Sequence, residues 1–129
     1  VPNAGLYQVF SAWCAGMDDP LRVCIQGAEL FARIEARGVY STPGVPVQNG
    51  EWVHVAAVKQ GAELRLYVNG EQKQTAAVPE WNTTAALDFA VGANPHWTGG
   101  NETFRGRIAD IAFYAEALTA EEVSAASRR

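Results

Sequence analysis

The chain has 129 residues, 48% of them hydrophobic and 19% charged, with fourteen acidic against ten basic side chains for a net charge of −4. That length and composition fit one folded domain with its own core and exclude a disordered chain. The acidic balance argues against a nucleic-acid or anionic-membrane partner, which needs a basic stripe, and no apolar run approaches the ~18 residues that span a bilayer.

The chain opens on Val1 rather than Met, as a processed or excised product does. Residues 6–13 alternate as a strand, with Tyr7, Val9 and Ser11 against Leu6, Gln8 and Phe10. A turn signal at Met17-Asp18-Asp19-Pro20 separates this run from a second strand at 21–26. A third strand is expected over 30–36, where Leu30, Ala32 and Ile34 oppose Phe31, Arg33 and Glu35 between Gly27 and Gly38. Residues 39–48 hold Pro43 and Pro46 and read as an edge strand or loop. Asn49-Gly50 is a turn.

Residues 51–70 are the stretch around which the rest is arranged. The run 52–58 is rich in β-branched and aromatic residues, and Gln60-Gly61 interrupts it. Leu64, Leu66 and Val68 then alternate with Arg65 and Tyr67, which buries one face and wets the other. Asn69-Gly70 has the chemistry of a type I′ hairpin turn. A polar strand over 71–78 leaves that turn, a loop follows over 79–85, and a strand is expected over 87–93. A Gly- and Asn-rich loop over 94–103 leads to a last strand over 107–114. Thr119 with Glu122 forms a capping box, so a short helix is expected from 119 to about 126. About nine strands with regular turns and one terminal helical turn predict an antiparallel sandwich.

Three segments carry a family resemblance. Trp52-Val53-His54-Val55-Ala56 with Leu64-Arg65-Leu66-Tyr67-Val68-Asn69-Gly70 is the first, and Phe89-Ala90-Val91-Gly92-Ala93 the second. The third runs from Phe104-Arg105-Gly106-Arg107-Ile108 through Tyr114 to Ala117-Leu118-Thr119-Ala120-Glu121-Glu122-Val123. In this order they resemble the laminin-G-like domains of the concanavalin A-like lectin and glucanase superfamily, with residues 50–125 matching best. The resemblance implies an all-β, antiparallel jelly-roll β-sandwich with a short C-terminal helix, formed as a single domain over 1–129. Opening strands usual in the family are missing or unrecognisable here. Either the jelly roll is shortened, or another copy or chain supplies the missing strands. The resemblance also implies an extracellular, secreted or surface-exposed setting, a virion surface being the alternative.

Cys14 and Cys24 flank the first turn signal. If the flanks pair as a hairpin, a disulfide could close the loop and stabilise by about 2–3 kcal/mol. The other reading is two free buried thiols packing as small hydrophobes. The extracellular setting that the resemblance implies tips the expectation to the bridge.

No strand carries the paired carboxylates that glycosidases of this superfamily place on alternate positions, and Asp88 and Asp110 are single acids on separate strands. His54 and His96 lack a nucleophile partner, and no serine sits in a Gly-x-Ser-x-Gly context. The expected role is therefore non-catalytic recognition of carbohydrate. The loop 94–103 is the expected ligand surface: Trp97 would stack on a sugar ring, with Asn94, His96 and Asn101 as hydrogen-bonding partners. Trp97 folded onto the core is the competing reading. Trp81 is a second expected platform. The alternative function is structural or adhesive protein–protein interaction, with self-association included. Relatives of this type often bind calcium; Ala109 stands where they carry an acid, which leaves Asp110 as the candidate ligand.

Overall fold

The computed structural model describes residues 5–13, 19–81, 86–95 and 102–129. Nine strands and one helix are assigned among them: β1 (Leu6–Trp13), β2 (Leu21–Gln26), β3 (Glu29–Glu35), β4 (Val39–Ser41), β5 (Val45–Pro46), β6 (Val55–Gln60), β7 (Glu63–Val68), β8 (Glu71–Ala77), β9 (Asp88–Val91) and α1 (Ala120–Ser127). Sheet A runs β4-β3-β2-β1-β9, with β5 also on β3; sheet B runs β6-β7-β8. Every strand pair is antiparallel. This is the all-β sandwich that the alternation predicts.

The core lies between the sheets. Val23, Leu30, Ala32 and Ile34 of sheet A meet Leu64, Leu66 and Val68 of sheet B, with Val78 just beyond β8. The period of two decides which residues these are: Leu30, Ala32 and Ile34 point in while Phe31, Arg33 and Glu35 point out. The same rule applies on β7, where Leu64 and Leu66 are fully buried.

One turn and the helix cap behave as their residues require. Asn69 and Gly70 take φ of 52° and 82° between the paired Val68 and Glu71, as a type I′ turn demands. The Asn69 Oδ1 and backbone N–H bond the N–H and C=O of His54, which pins the start of β6 to this turn. Partial burial pushes the His54 imidazole below its ordinary pKa. Helix α1 packs on the outer face of sheet B, where Val123 meets Val58 and Tyr67. Its cap is the expected box: the Glu122 N–H donates to Thr119 Oγ1 at 3.2 Å, and the Thr119 N–H donates to Glu122 Oε2 at 2.8 Å.

Three expectations need correction. The strand expected at 107–114 is absent; these residues pair with no strand among the described residues and leave Ile111, Phe113 and Tyr114 exposed. The alternation expected along β1 is broken by a bulge between Gln8 and Phe10, so Phe10 joins the inner face while Gln8 and Ser11 are on the outer one. The Cys14–Cys24 bridge is not formed: Cys24 is a free, buried thiol. In the register of β1 and β2, Cys24 stands opposite Gln8. Cys14 itself lies outside the described residues.

Candidate functional site

The outer face of sheet A gathers the polar side chains. Strand register sets them in rows: Gln8, Cys24 and Phe31 stand side by side on β1, β2 and β3. The next row is Ser11, Arg22, Arg33 and Ser41. Two arginines side by side on neighbouring strands repel, so each needs its own compensation. Arg22 is buried, forms an ion pair with the fully buried Asp19 and lies 3.8 Å from Glu35. Its guanidinium also sits 5.7 Å from the Trp13 ring centre. Burial raises the Glu35 pKa, and Arg22 opposes that shift. Arg33 lies 5.1 Å over the Phe31 ring and donates from Nε to Ser41 Oγ at 2.8 Å.

Beside Arg33 the surface opens into a shallow groove of about 190 Å³, lined by Gln26, Glu29, Phe31, Arg33, Ser41, Thr42 and Gly44. Gly44 passes so close to Glu29 that an added Cβ would lie 2.8 Å from the Glu29 Cβ. The groove is smaller than the ~300 Å³ at which drug-sized pockets begin. It offers guanidinium, amide and hydroxyl donors together with a carboxylate acceptor.

At the β1–β9 side of the same face, a hydrogen-bond clamp closes the base of the loop that the sequence nominates. Asn94 is buried, 7% exposed, and its Nδ2 donates to Glu102 Oε2 at 2.9 Å. Gln8, fully buried, donates from Nε2 to the same carboxylate oxygen at 3.2 Å, and its backbone N–H donates to the Glu102 carbonyl at 2.9 Å. The Cys24 thiol completes the network by donating to Gln8 Oε1 at 3.1 Å. Burial pushes that thiol up to about 12. The two ends of the loop are thus tied to each other and to the sheet.

The expected ligand residues are distributed as follows. Asn94 is an internal hydrogen-bonding group of the clamp rather than a surface group. His96, Trp97 and Asn101 lie outside the described residues. Trp81 is 79% exposed and follows Glu80, whose carbonyl accepts from Lys59 Nζ, so it belongs to the sheet B side. Asp110 is exposed with φ of 54°, and no group of three or more His, Cys, Asp or Glu side chains converges to hold an ion among the described residues. The sequence reading missed the groove and the role of Glu102. The outward positions 29, 31 and 33 of β3 carry the signal for the groove, since Glu, Phe and Arg share one face there.

The family model described as concanavalin A-like lectin/glucanases superfamily, of the laminin-G type, matches residues 16–124. The chain belongs to that superfamily. It is similar to a solved structure of an S-layer domain-containing protein from Clostridium thermocellum at 21% identity and a TM-score of 0.47, covering 98% of this chain and 65% of that one. The chain therefore spans just under two thirds of that structure's length. No curated protein matches the chain. No helix among the described residues is long and apolar enough to cross a membrane.

Proposed function

We propose that this domain is a non-catalytic recognition module that binds carbohydrate on an extracellular or surface-exposed protein. The observation that carries this reading is the groove on the outer face of sheet A, which lies on the same face as the clamped base of the 94–103 loop. Arg33, Gln26 and Ser41 would donate to sugar hydroxyls and Glu29 would accept from them, while Trp97 of the loop would supply the stacking surface. Contacts this shallow are weak one at a time, so useful binding needs several copies on one scaffold. The non-catalytic part is supported by the groove lining, which holds a single carboxylate, Glu29, where a glycosidase uses two, and by Asp19, Glu35 and Glu102, which are held by Arg22 or by amides.

A glycan array and affinity electrophoresis in polysaccharide gels test the reading. The chain should be retained by at least one glycan, and both Trp97→Ala and Arg33→Ala should weaken retention roughly tenfold, the effect of ~1.4 kcal/mol. Retention by no glycan, or retention that neither variant alters, overturns it. A second reading, a protein–protein module, is favoured by a separate observation: Leu87, Phe89, Ile111, Phe113 and Tyr114 are all more than half exposed.

A further inference from the structure

Sheet A is five strands wide and sheet B is three. β8 lies over β4 and β7 over β3, so β6 comes over β2. The inner faces of β1 and β9 therefore project past the edge of sheet B. On this overhang Leu87 is 70% exposed, Phe89 65% and Val91 43%, although all three point to the side where a core should be. β6 is the edge strand of sheet B that borders the overhang.

The register shows which backbone groups that edge presents. Gln60 and Glu63 pair across the two-residue turn at Gly61-Ala62, so the N–H and C=O groups of Ala56, Val58 and Gln60 face β7. The bond from the Asn69 N–H to the His54 carbonyl follows the same phase. Those of Val55, Ala57 and Lys59 then face outward. The Val-Ala-Ala-Val run at 55–58 has no charge and no proline, so on β6 only Lys59 supplies the protection that exposed edges usually have.

The third observation is the segment 107–114. Its sequence alternates as a strand, yet it pairs with no strand among the described residues, and Asp110 takes a left-handed φ of 54° that no regular strand uses. Phe113 nevertheless rests on the overhang, 4.8 Å from Phe10 and 5.7 Å from Phe89 between ring centres. A strand sequence lying beside an open sheet lacks only the neighbour that would bond it.

We propose that a partner polypeptide adds one alternately apolar β-strand between the free edge of β6 and residues 107–114, and so roofs the inner face of β1 and β9. This deepens the protein–protein reading above and does not depend on the carbohydrate one. The partner's inward side chains are apolar because the five side chains that await them, Leu87, Phe89, Val91, Ile111 and Phe113, carry no charge. At roughly 100 Å² each, these five offer on the order of 500 Å². A standard interface buries roughly 800 Å² per partner and a weak, transient one under about 600 Å², so this face suits a partner held at low affinity. Among the described residues the other alternating runs already form strands, so none of them is the added one. A second whole copy does not fit: pairing β6 edge to edge would drive its sheet A into the space of the overhang.

The test uses amide hydrogen exchange on the whole chain, with a synthetic probe strand of the sequence at 62–70, Ala-Glu-Leu-Arg-Leu-Tyr-Val-Asn-Gly. The control peptide carries Asp at the three inward positions. In the free chain, Val55, Ala57 and Lys59 should exchange fast while Ala56, Val58 and Gln60 are protected. Millimolar probe should slow exchange at Val55, Ala57, Lys59 and 107–114 roughly tenfold or more, and the control should not. Ala57→Pro, which removes an outward N–H, should abolish the effect, and Phe89→Ser should weaken it with the fold retained. Slow exchange at the outward amides of the dilute free chain, or no protection by the probe, overturns the proposal. Protection that grows with chain concentration without probe overturns it in favour of a second copy. Glycan retention read on the same samples keeps this outcome separate from that of the carbohydrate reading.

Discussion

Cys24 shows how a neighbour changes what a residue can do. Its thiol is enclosed between strands and donates to Gln8, so the thiolate form is disfavoured and the pKa moves from 9.0 to about 12. Alkylation of the Cys14→Ser variant with iodoacetamide at pH 8 should therefore be undetectable over hours in the native state and complete in denaturant. The pH dependence has a definite sign. Between about pH 9 and 12 the unfolded chain loses this proton and the native chain keeps it. Stability should thus be fully present below pH 9 and fall as pH rises to 12, in urea melts across that window. Cys24→Ala should remove this slope. The Gln8–Glu102–Asn94 clamp is the same kind of arrangement: each polar group is buried because another satisfies it.

At the scale of elements, the turns and the helix cap do what their residues specify, while the 107–114 segment does not. Asn69-Gly70 and Thr119-x-x-Glu122 satisfy their own backbone locally, so their structure could be read from a few residues. Gly70 carries a second demand that a local reading misses. Its turn lies against the end of α1, and an added Cβ would crowd Ser127 Oγ and lie 3.2 Å from the Ser124 Cα. Gly70→Ala combines that collision with a φ of 82°, and should cost about 2 kcal/mol in chemical denaturation. A cost under about 0.5 kcal/mol would show that the helix does not press on the turn. Strands depend on partners in a way that turns do not. Residues 107–114 have strand periodicity, but periodicity supplies only a face, and the ladder needs a neighbour with free donors and acceptors.

At the scale of the whole molecule, the two sheets hold each other through one apolar layer. Leu64 and Leu66 are fully buried at its centre, opposite Leu30, Ala32 and Ile34. Leu66→Ala should destabilise by about 3 kcal/mol in a urea melt, from lost transfer energy and the cavity left behind. A loss below about 1 kcal/mol would mean that the sheets do not pack on each other there. The outer face of sheet A inherits its geometry from this layer, because the residues that point inward fix which ones point out. Sequence alone determined the sandwich, the strand faces of β3 and β7, the hairpin turn and the capping box, since each follows from side-chain period or from bonds within a few residues. Only the tertiary structure decided that Cys24 faces Gln8, that Glu102 holds both ends of a loop, and that the outer edge of β6 and residues 107–114 have no strand partner among the described residues. Those outcomes depend on register and on the number of strands in each sheet, and both are set by contacts between residues far apart in the chain.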